Sequence, residues 1–225
     1  MIIVTGASSG IGLAICERLL QKGNKVLGLS RNVSNLKFNC QSCDVSSYDQ
    51  IKAIANKLRK NKTLITGIIN AAGIASMNLA LTTPPAVTEN IIRTNLMGTI
   101  FSCQLFSPLM IRNKNGSIIN FSTIAVDIAL KGESVYVASK SGVEAFSRVF
   151  AKELSDFNIR VNCISPGPID TNLIKGLNAN MIESIISQQV LKRQFNTQDI
   201  CDLIELLLDP KASSLSGQVL NVGGR

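Results

Sequence analysis

"MIIVTGASSGIG", residues 1–12, opens on four apolar residues and then places glycines at 6, 10 and 12. A short, continuous apolar run reads as a strand buried on both faces, as in a parallel sheet. The following "LAICERLL" carries Leu13, Cys16, Leu19 and Leu20 at helical spacing, so the glycines fall in a strand-to-helix turn. Without a Cβ, Gly6, Gly10 and Gly12 permit a tight turn, approach of a ligand to bare backbone, and close packing of helix on strand. The helix N-terminus beyond offers unpaired N–H groups and a partial positive charge to a phosphate. A glycine-rich turn without a ligand is the alternative. The position between strand and helix favours dinucleotide binding.

Apolar, β-rich runs recur at 1–5, 25–30, 36–40, 67–70, 116–122, 159–165 and 218–222, with amphipathic helical stretches between most of them. This alternation predicts an α/β fold: a doubly wound, seven-stranded parallel sheet with helices on both faces and a ligand at the carboxyl ends of the strands. The polar turns "TGASSG", "SRN", "CDVSS", "NAAG", "FST" and "SPGP" all follow strands. In the long loop 73–86, Pro84 and Pro85 are expected to start the next helix.

With 225 residues and 45% hydrophobic content, the chain is expected to form one domain, 1–225, around one core. No apolar stretch reaches the roughly 18 residues of a membrane span, and a strand beginning at Met1 leaves no room for a targeting segment. A cytoplasmic protein is therefore expected. The cysteines at 16, 40, 43, 103, 163 and 201 read as reduced core residues. "CQSC", Cys40 to Cys43, has redox spacing but should end a strand rather than open a helix. The chain contains no histidine, which removes His-based triads and His-ligated metals and leaves Tyr, Lys, Asp, Glu or Cys for acid–base work. No metal site is expected. The net charge of +8 includes "NKLRKNK", 56–62, read as the solvated end of a helix. Aromatics at 4% leave little equipment for stacking on nucleic acid.

A dinucleotide site reading NAD places an acidic residue about 20 positions beyond the glycines, at the ribose 2′-hydroxyl. Between Glu17 and Asp44 there is none. The second strand ends instead in Ser30 and Arg31, a hydroxyl and a guanidinium suited to a 2′-phosphate, so NADP(H) is favoured over NAD(H). A solvated loop arginine is the alternative. Further on, "YVASK" sets Tyr136 and Lys140 four apart on a long amphipathic helix marked by Val143, Phe146, Val149, Phe150 and Leu154. A fixed ammonium beside the phenol should lower its pKa and make Tyr136 a proton donor to a carbonyl oxygen. Alone, such a pair is an ordinary helix surface.

Together these residues resemble the short-chain dehydrogenase/reductase family. "TGASSGIG" is similar to its cofactor loop T-G-x-x-x-G-x-G, "CDV" to its adenine-binding pair, "NAAG" to its fourth-strand motif, "YVASK" to its Y-x-x-x-K, and "PGPIDT" to its P-G-x-I-x-T. The order and spacing also match, and the resemblance runs from Met1 to "GQVLNVGG". It implies a Rossmann-like fold. It assigns Thr5, Gly6, Ser8, Ser9, Gly10, Ile11 and Gly12 to the phosphate loop, and Asp44 and Val45 to the adenine. Asn70, Ala71, Ala72 and Gly73 would line the cofactor cleft, with Pro166, Gly167, Ile169 and Thr171 toward the carboxamide end. Tyr136 would be the acid/base, Lys140 would hold the nicotinamide ribose, and Asn95 would hold a water linked to the lysine. The family's usual serine, thirteen positions before the tyrosine, is here Thr123, which keeps a hydroxyl for the substrate carbonyl. Ser122 is the alternative, and adjacent strand residues point to opposite faces.

The implied activity is NADPH-dependent reduction of a ketone, with 3-oxoacyl-[acyl-carrier-protein] reductases the most similar subfamily. The substrate would be a small or carrier-tethered carbonyl compound, with an acyl carrier protein docking beside Lys114 and Lys175 at the cleft entrance, under a short lid from Leu173 to Asn196. Solvated lysines are the alternative to docking. A homotetramer or homodimer is implied, with no nucleic-acid or membrane partner. A sugar or polyol dehydrogenase is the second enzyme reading, and a non-catalytic cofactor sensor or scaffold is the reading from another class.

Overall fold

The computed structural model describes residues 1–171, 174 and 178–224. Seven strands form one sheet in the order β3-β2-β1-β4-β5-β6-β7. They are β1 Ile2–Thr5, β2 Val26–Ser30, β3 Cys40–Ser42, β4 Gly67–Asn70, β5 Gly116–Phe121, β6 Ile159–Ser165 and β7 Val219–Asn221. Every pairing is parallel, and Val4 of β1 sits between Gly28 of β2 and Ile69 of β4. The chain order reverses between β1 and β4, which opens a crevice at the carboxyl ends of these strands.

The helices are α1 Gly10–Gln21, α2 Tyr48–Lys60, α3 Pro85–Ile91, α4 Gly98–Ile111, α5 Ser134–Glu153, α6 Ala179–Ser187 and α7 Thr197–Leu208. Successive strand side chains point to opposite faces, so Ile3, Leu27, Ile68, Ile118 and Val161 pack in a core that includes Ile51 of α2, Phe106 of α4 and Phe150 of α5. Ile2, Val4, Ile69, Ile119 and Ile164 share the opposite core with Ile15 of α1 and Ile204 of α7. The central strands are therefore apolar along their length because both faces are covered.

Several boundaries follow side-chain chemistry. Ser47 caps α2, and the Asn196 and Asp199 side chains form a reciprocal capping box at α7. Pro84 and Pro85 stand at the N-cap and first turn of α3. The run 56–62 ends α2, where Lys57, Arg59 and Lys60 occupy the last turn. A π-helical segment, Ile92–Met97, joins α3 to α4.

The third strand departs from its expected range of 36–40. It forms over Cys40–Ser42, so "CQS" is the strand itself, with its ladder to Gly28–Ser30. Backbone pairing decides this: the ladder to β2 runs over Cys40–Ser42, although half-buried Leu36 and Phe38 alternate with exposed Lys37 and Asn39 on the approach. All six cysteines are free. Among the described residues, no helix is long and apolar enough to cross a membrane.

Candidate active site

The cofactor side of the crevice is built largely from backbone. Gly6 follows β1 at φ +71°, and a Cβ there would lie 2.8 Å from Cα and N of Ala72. Gly12 has an ordinary helical φ, but a Cβ would run into the Gly6 carbonyl oxygen. The turn and the helix therefore approach to a distance that only glycine allows. Ser9, the N-cap of α1, makes no side-chain cap, which leaves the first-turn N–H groups without a side-chain acceptor beside the crevice. Ser8, Ser9, Gly10, Ile11 and Gly12 form one wall of a space of about 1250 Å³, and Ala71, Ala72 and Gly73 form another.

Ser30, Arg31, Asp44 and Val45 line the far end of the same space. The Ser8 and Ser30 hydroxyls hydrogen-bond at 2.7 Å, and the Arg31 side chain is exposed. Asp44 accepts from the N–H and hydroxyl of Ser46 at 2.9 and 2.8 Å, which orients its carboxylate. An exposed cation beside two hydroxyls and an uncapped helix terminus suit a phosphorylated dinucleotide.

Two residues expected at the cofactor lie behind it. Asn70 is 2% exposed, and its amide donates to Asn120 Oδ1 at 2.8 Å and Cys103 Sγ at 3.3 Å, while Asn120 donates to Ser147 at 2.8 Å. Its amide nitrogen thus ties β4 to β5 and α4, and Asn120 carries the link on to α5. Thr5 accepts from the Ala72 N–H at 3.1 Å and braces the β1 and β4 ends.

Beyond Ile11 and Thr171, the crevice continues into a largely apolar cavity that holds Tyr136, Lys140, Thr123 and Ser122. Tyr136 and Lys140 rise from the first two turns of α5 and are 6% and 5% exposed. Lys140 Nζ donates to the Phe121 carbonyl at 2.9 Å and stands 5.9 Å from the centre of the Tyr136 ring. Burial lowers the Lys140 pKa to about 8. The expectation that the ammonium holds the phenol down is reversed. Burial first and the Glu133 charge second raise the Tyr136 pKa, against a smaller opposing pull from the Thr123 hydroxyl.

Thr123 and Ser122 separate as strand geometry requires. Ser122 donates to Glu144 Oε1 at 2.6 Å inside the fold, and Arg148 donates to the other oxygen at 3.1 Å. Thr123 interacts with the Tyr136 phenol, and its hydroxyl also accepts from the Ala125 N–H at 3.2 Å. Asn95, fully buried in the π-helical segment, accepts from Ile74 N at 2.9 Å and donates to Ile74 O at 2.9 Å and Ser139 Oγ at 3.1 Å. A Cβ on Gly73 would sit 3.4 Å from Asn95 Oδ1 and 3.6 Å from Lys140 Nζ. Gly73 thus keeps the gap between amide and ammonium clear. Pro166, Gly167, Ile169 and Thr171, after β6, close the far wall.

Several cavity residues carried no motif, among them Leu130, Glu133 and Ile185. For Glu133 a signal existed, because it precedes Tyr136 by three positions and so shares its helix face. Ile185 comes from α6, within the expected lid, and could be placed only by tertiary packing. Lys114 does not flank the cleft. It precedes β5 at the amino edge of the sheet, with its carbonyl accepting from Asn158 at 3.1 Å, whereas the crevice lies at the carboxyl edge. Lys175 and Leu173 lie outside the described residues.

The chain matches the short chain dehydrogenase family over residues 1–182. It is 31% identical to 3-oxoacyl-[acyl-carrier-protein] reductase FabG of Thermotoga maritima, over 99% of this chain and 95% of that one. It is 33% identical to carbonyl reductase family member 4 of Xenopus laevis, over 98% and 95% respectively. Among solved structures, the ligand-free aldohexose dehydrogenase of Thermoplasma acidophilum superposes with a TM-score of 0.89 at 33% identity, over 99% of this chain and 92% of that one.

Proposed function

The chain belongs to the short-chain dehydrogenase family and is an NAD(P)-dependent oxidoreductase; on that premise we propose that it reduces the ketone of a 3-oxoacyl thioester with NADPH. The observation that carries this reading is the convergence of Tyr136, Thr123 and Lys140 in one apolar cavity continuous with the glycine-walled crevice. The resemblance to 3-oxoacyl-[acyl-carrier-protein] reductases over nearly the whole chain supports the acyl substrate. The Ser8, Ser30 and Arg31 cluster, with no acidic residue between Glu17 and Asp44, supports NADPH.

In this reading, the α1 N-terminus holds the pyrophosphate, Arg31 and Ser30 hold the 2′-phosphate, and Asp44 and Val45 flank the adenine. The reduced nicotinamide, when bound, supplies the hydride. Thr123 donates to the substrate carbonyl oxygen and positions it, and Tyr136 protonates that oxygen as charge develops on it. A phenol whose pKa is raised remains protonated at neutral pH, the state required for reduction. Lys140 and Asn95 border the route by which Tyr136 is reprotonated. The exposed Val149 of α5 is consistent with packing against a second copy of the chain, as a homodimer or homotetramer.

The test is oxidation of NADPH and NADH by wild type and Tyr136→Phe in the presence of an acetoacetyl thioester. Turnover with NADPH that vanishes in the variant supports cofactor, acid and substrate together. A protein that binds NADPH and leaves the thioester untouched overturns the acyl reading.

A further inference from the structure

Gln189 stands one residue past the C-cap of α6 and is 1% exposed. Its amide nitrogen donates to the Leu191 carbonyl at 3.2 Å and the Arg193 carbonyl at 3.0 Å. Those two acceptors fix which end of the amide is nitrogen and which is oxygen. Oε1 therefore points the other way, where it has no hydrogen-bond partner among the described residues. What it meets is glycine. A Cβ on Gly167 would collide with Oε1 and lie 3.1 Å from Cδ, and a Cβ on Gly223 would lie 3.4 Å from Oε1 and 3.3 Å from Cδ. The side chain thus fills the room left by two missing Cβ atoms, one after β6 and one after β7.

The backbone of Gly167 is not in the left-handed region, so its conformation does not call for glycine. Its neighbour does. Moving the amide aside would break both of its hydrogen bonds in a site closed to solvent, which makes Gln189 an unyielding neighbour. Gly167 in turn belongs to the wall of the Tyr136 cavity, with Pro166, Ile169 and Ile124. The Pro166 carbonyl accepts from Ile124 N at 2.9 Å, and Ile169 bridges to Phe195. Leu191 N, on the turn that the amide clamps, donates to the Gly223 carbonyl at 2.8 Å. About one helical turn before Gln189, Ile185 of α6 lines the same cavity. One buried amide therefore joins the cavity wall, the helix that supplies Ile185 and the end of the last strand. An aliphatic side chain could fill the same room without burying an unpaired acceptor, whose desolvation is costly. The amide is explained by the turn it clamps.

We propose that Gln189 is a positioning residue for the carbonyl substrate: packed against Gly167, it holds in place the wall from Pro166 to Ile169, and Gly167 is glycine because Gln189 stands there. Resting on the carbonyl-reducing reading above, this assignment is independent of the acyl substrate. Tyr136 and Lys140 rise from α5, outside the linkage, so substrate placement depends on Gln189 and proton transfer does not.

The test is a double-mutant cycle of Gln189→Ala and Gly167→Ala, with acetoacetyl thioester as substrate and NADPH fluorescence read on the same preparations. Gln189→Ala should raise KM for the thioester by about tenfold while kcat and its pH profile stay within about twofold, the mark of lost placement. Gly167→Ala alone should do more damage. The two together should recover toward wild type, because the new Cβ enters the vacated room. If Gln189→Ala fails to bind NADPH, the cycle is run with Gln189→Asn, which withdraws the amide from Gly167 by one methylene. A wild-type protein that leaves the thioester untouched sinks the acyl reading alone. The same cycle is then read from the emission of the bound reduced nicotinamide, which each single variant should shift and the pair restore. In either readout, additive losses or a Gln189→Ala protein identical to wild type overturns the inference, and so does a loss of kcat at unchanged KM.

Discussion

The two ends of the crevice are built of different material. At the dinucleotide end, Gly6, Gly12, Ala71 and Ala72 bring backbone to backbone, and an uncapped helix terminus supplies the donors. At the substrate end, side chains from β5, α5, the segment after β6 and α6 meet in a cavity whose polar groups are few. The first end is tuned by the absence of side chains, the second by the protonation of a handful. Substitutions should therefore fail differently: by collision and lost binding at one end, and by lost proton transfer at the other.

The largest effect belongs to the substrate end. Tyr136→Phe should lower kcat by roughly 10²–10⁴-fold, the span of general acid–base catalysis, while cofactor affinity measured by fluorescence stays within about twofold. A comparable loss of cofactor affinity in the same variant would break the division between the two ends. At the dinucleotide end, Gly12→Val drives a branched side chain against the Gly6 carbonyl. It should abolish detectable cofactor binding and destabilise the fold by about 1–3 kcal/mol in denaturant unfolding.

Arg31→Ala sharpens the comparison within the cofactor end. It should weaken NADPH by about tenfold or more and leave NADH nearly unchanged, as expected for loss of a charge-assisted contact to a 2′-phosphate. Equal weakening of both would assign Arg31 to the solvated surface.

The smallest effects separate stability from chemistry. Ser122→Ala leaves Glu144 with Arg148 alone and removes a 2.6 Å hydrogen bond. It should cost about 1–3 kcal/mol in unfolding and change kcat less than Thr123→Ala does. Lys140, lowered by burial from an ordinary 10.5 to about 8, gives a pH signature. Between these values the unfolded chain holds a proton that the folded chain has released, so this group makes stability rise with pH across that window. Below about pH 8 both states are protonated and its contribution is constant. Unfolding of Lys140→Met, measured at about pH 8 and about pH 10, should show less of that rise than wild type; an identical slope would refute the assignment.

Amphipathic periods and glycine spacing carried the sheet, its helices and the crevice, because those signals arise within one strand or one turn of helix. The third strand was read two to four residues early: "LKFNC" has the composition and alternation of a strand, but the ladder to β2 begins only at Cys40. Tyr136 and Lys140 were readable together because helical periodicity relates positions four apart. Thr123 rather than Ser122 beside the phenol, by contrast, depends on the path between β5 and α5.

Asn70 looked like a cleft residue because its neighbours are, and only the positions of Asn120 and Cys103, fifty and thirty-three residues away, show where its amide goes. Lys114 shows the same limit in reverse, since which edge of the sheet a loop occupies depends on strand direction. What the sequence alone determined was the order of the elements, the glycine turn between β1 and α1, and the placing of Tyr136 and Lys140 together on one helix, each a matter of local geometry and residue type. The protonation balance at Tyr136, the place of Glu133 beside it and the choice of hydroxyl were decided by tertiary structure. Desolvation and hydrogen-bond satisfaction depend on which distant atoms surround a group, and no local period encodes that.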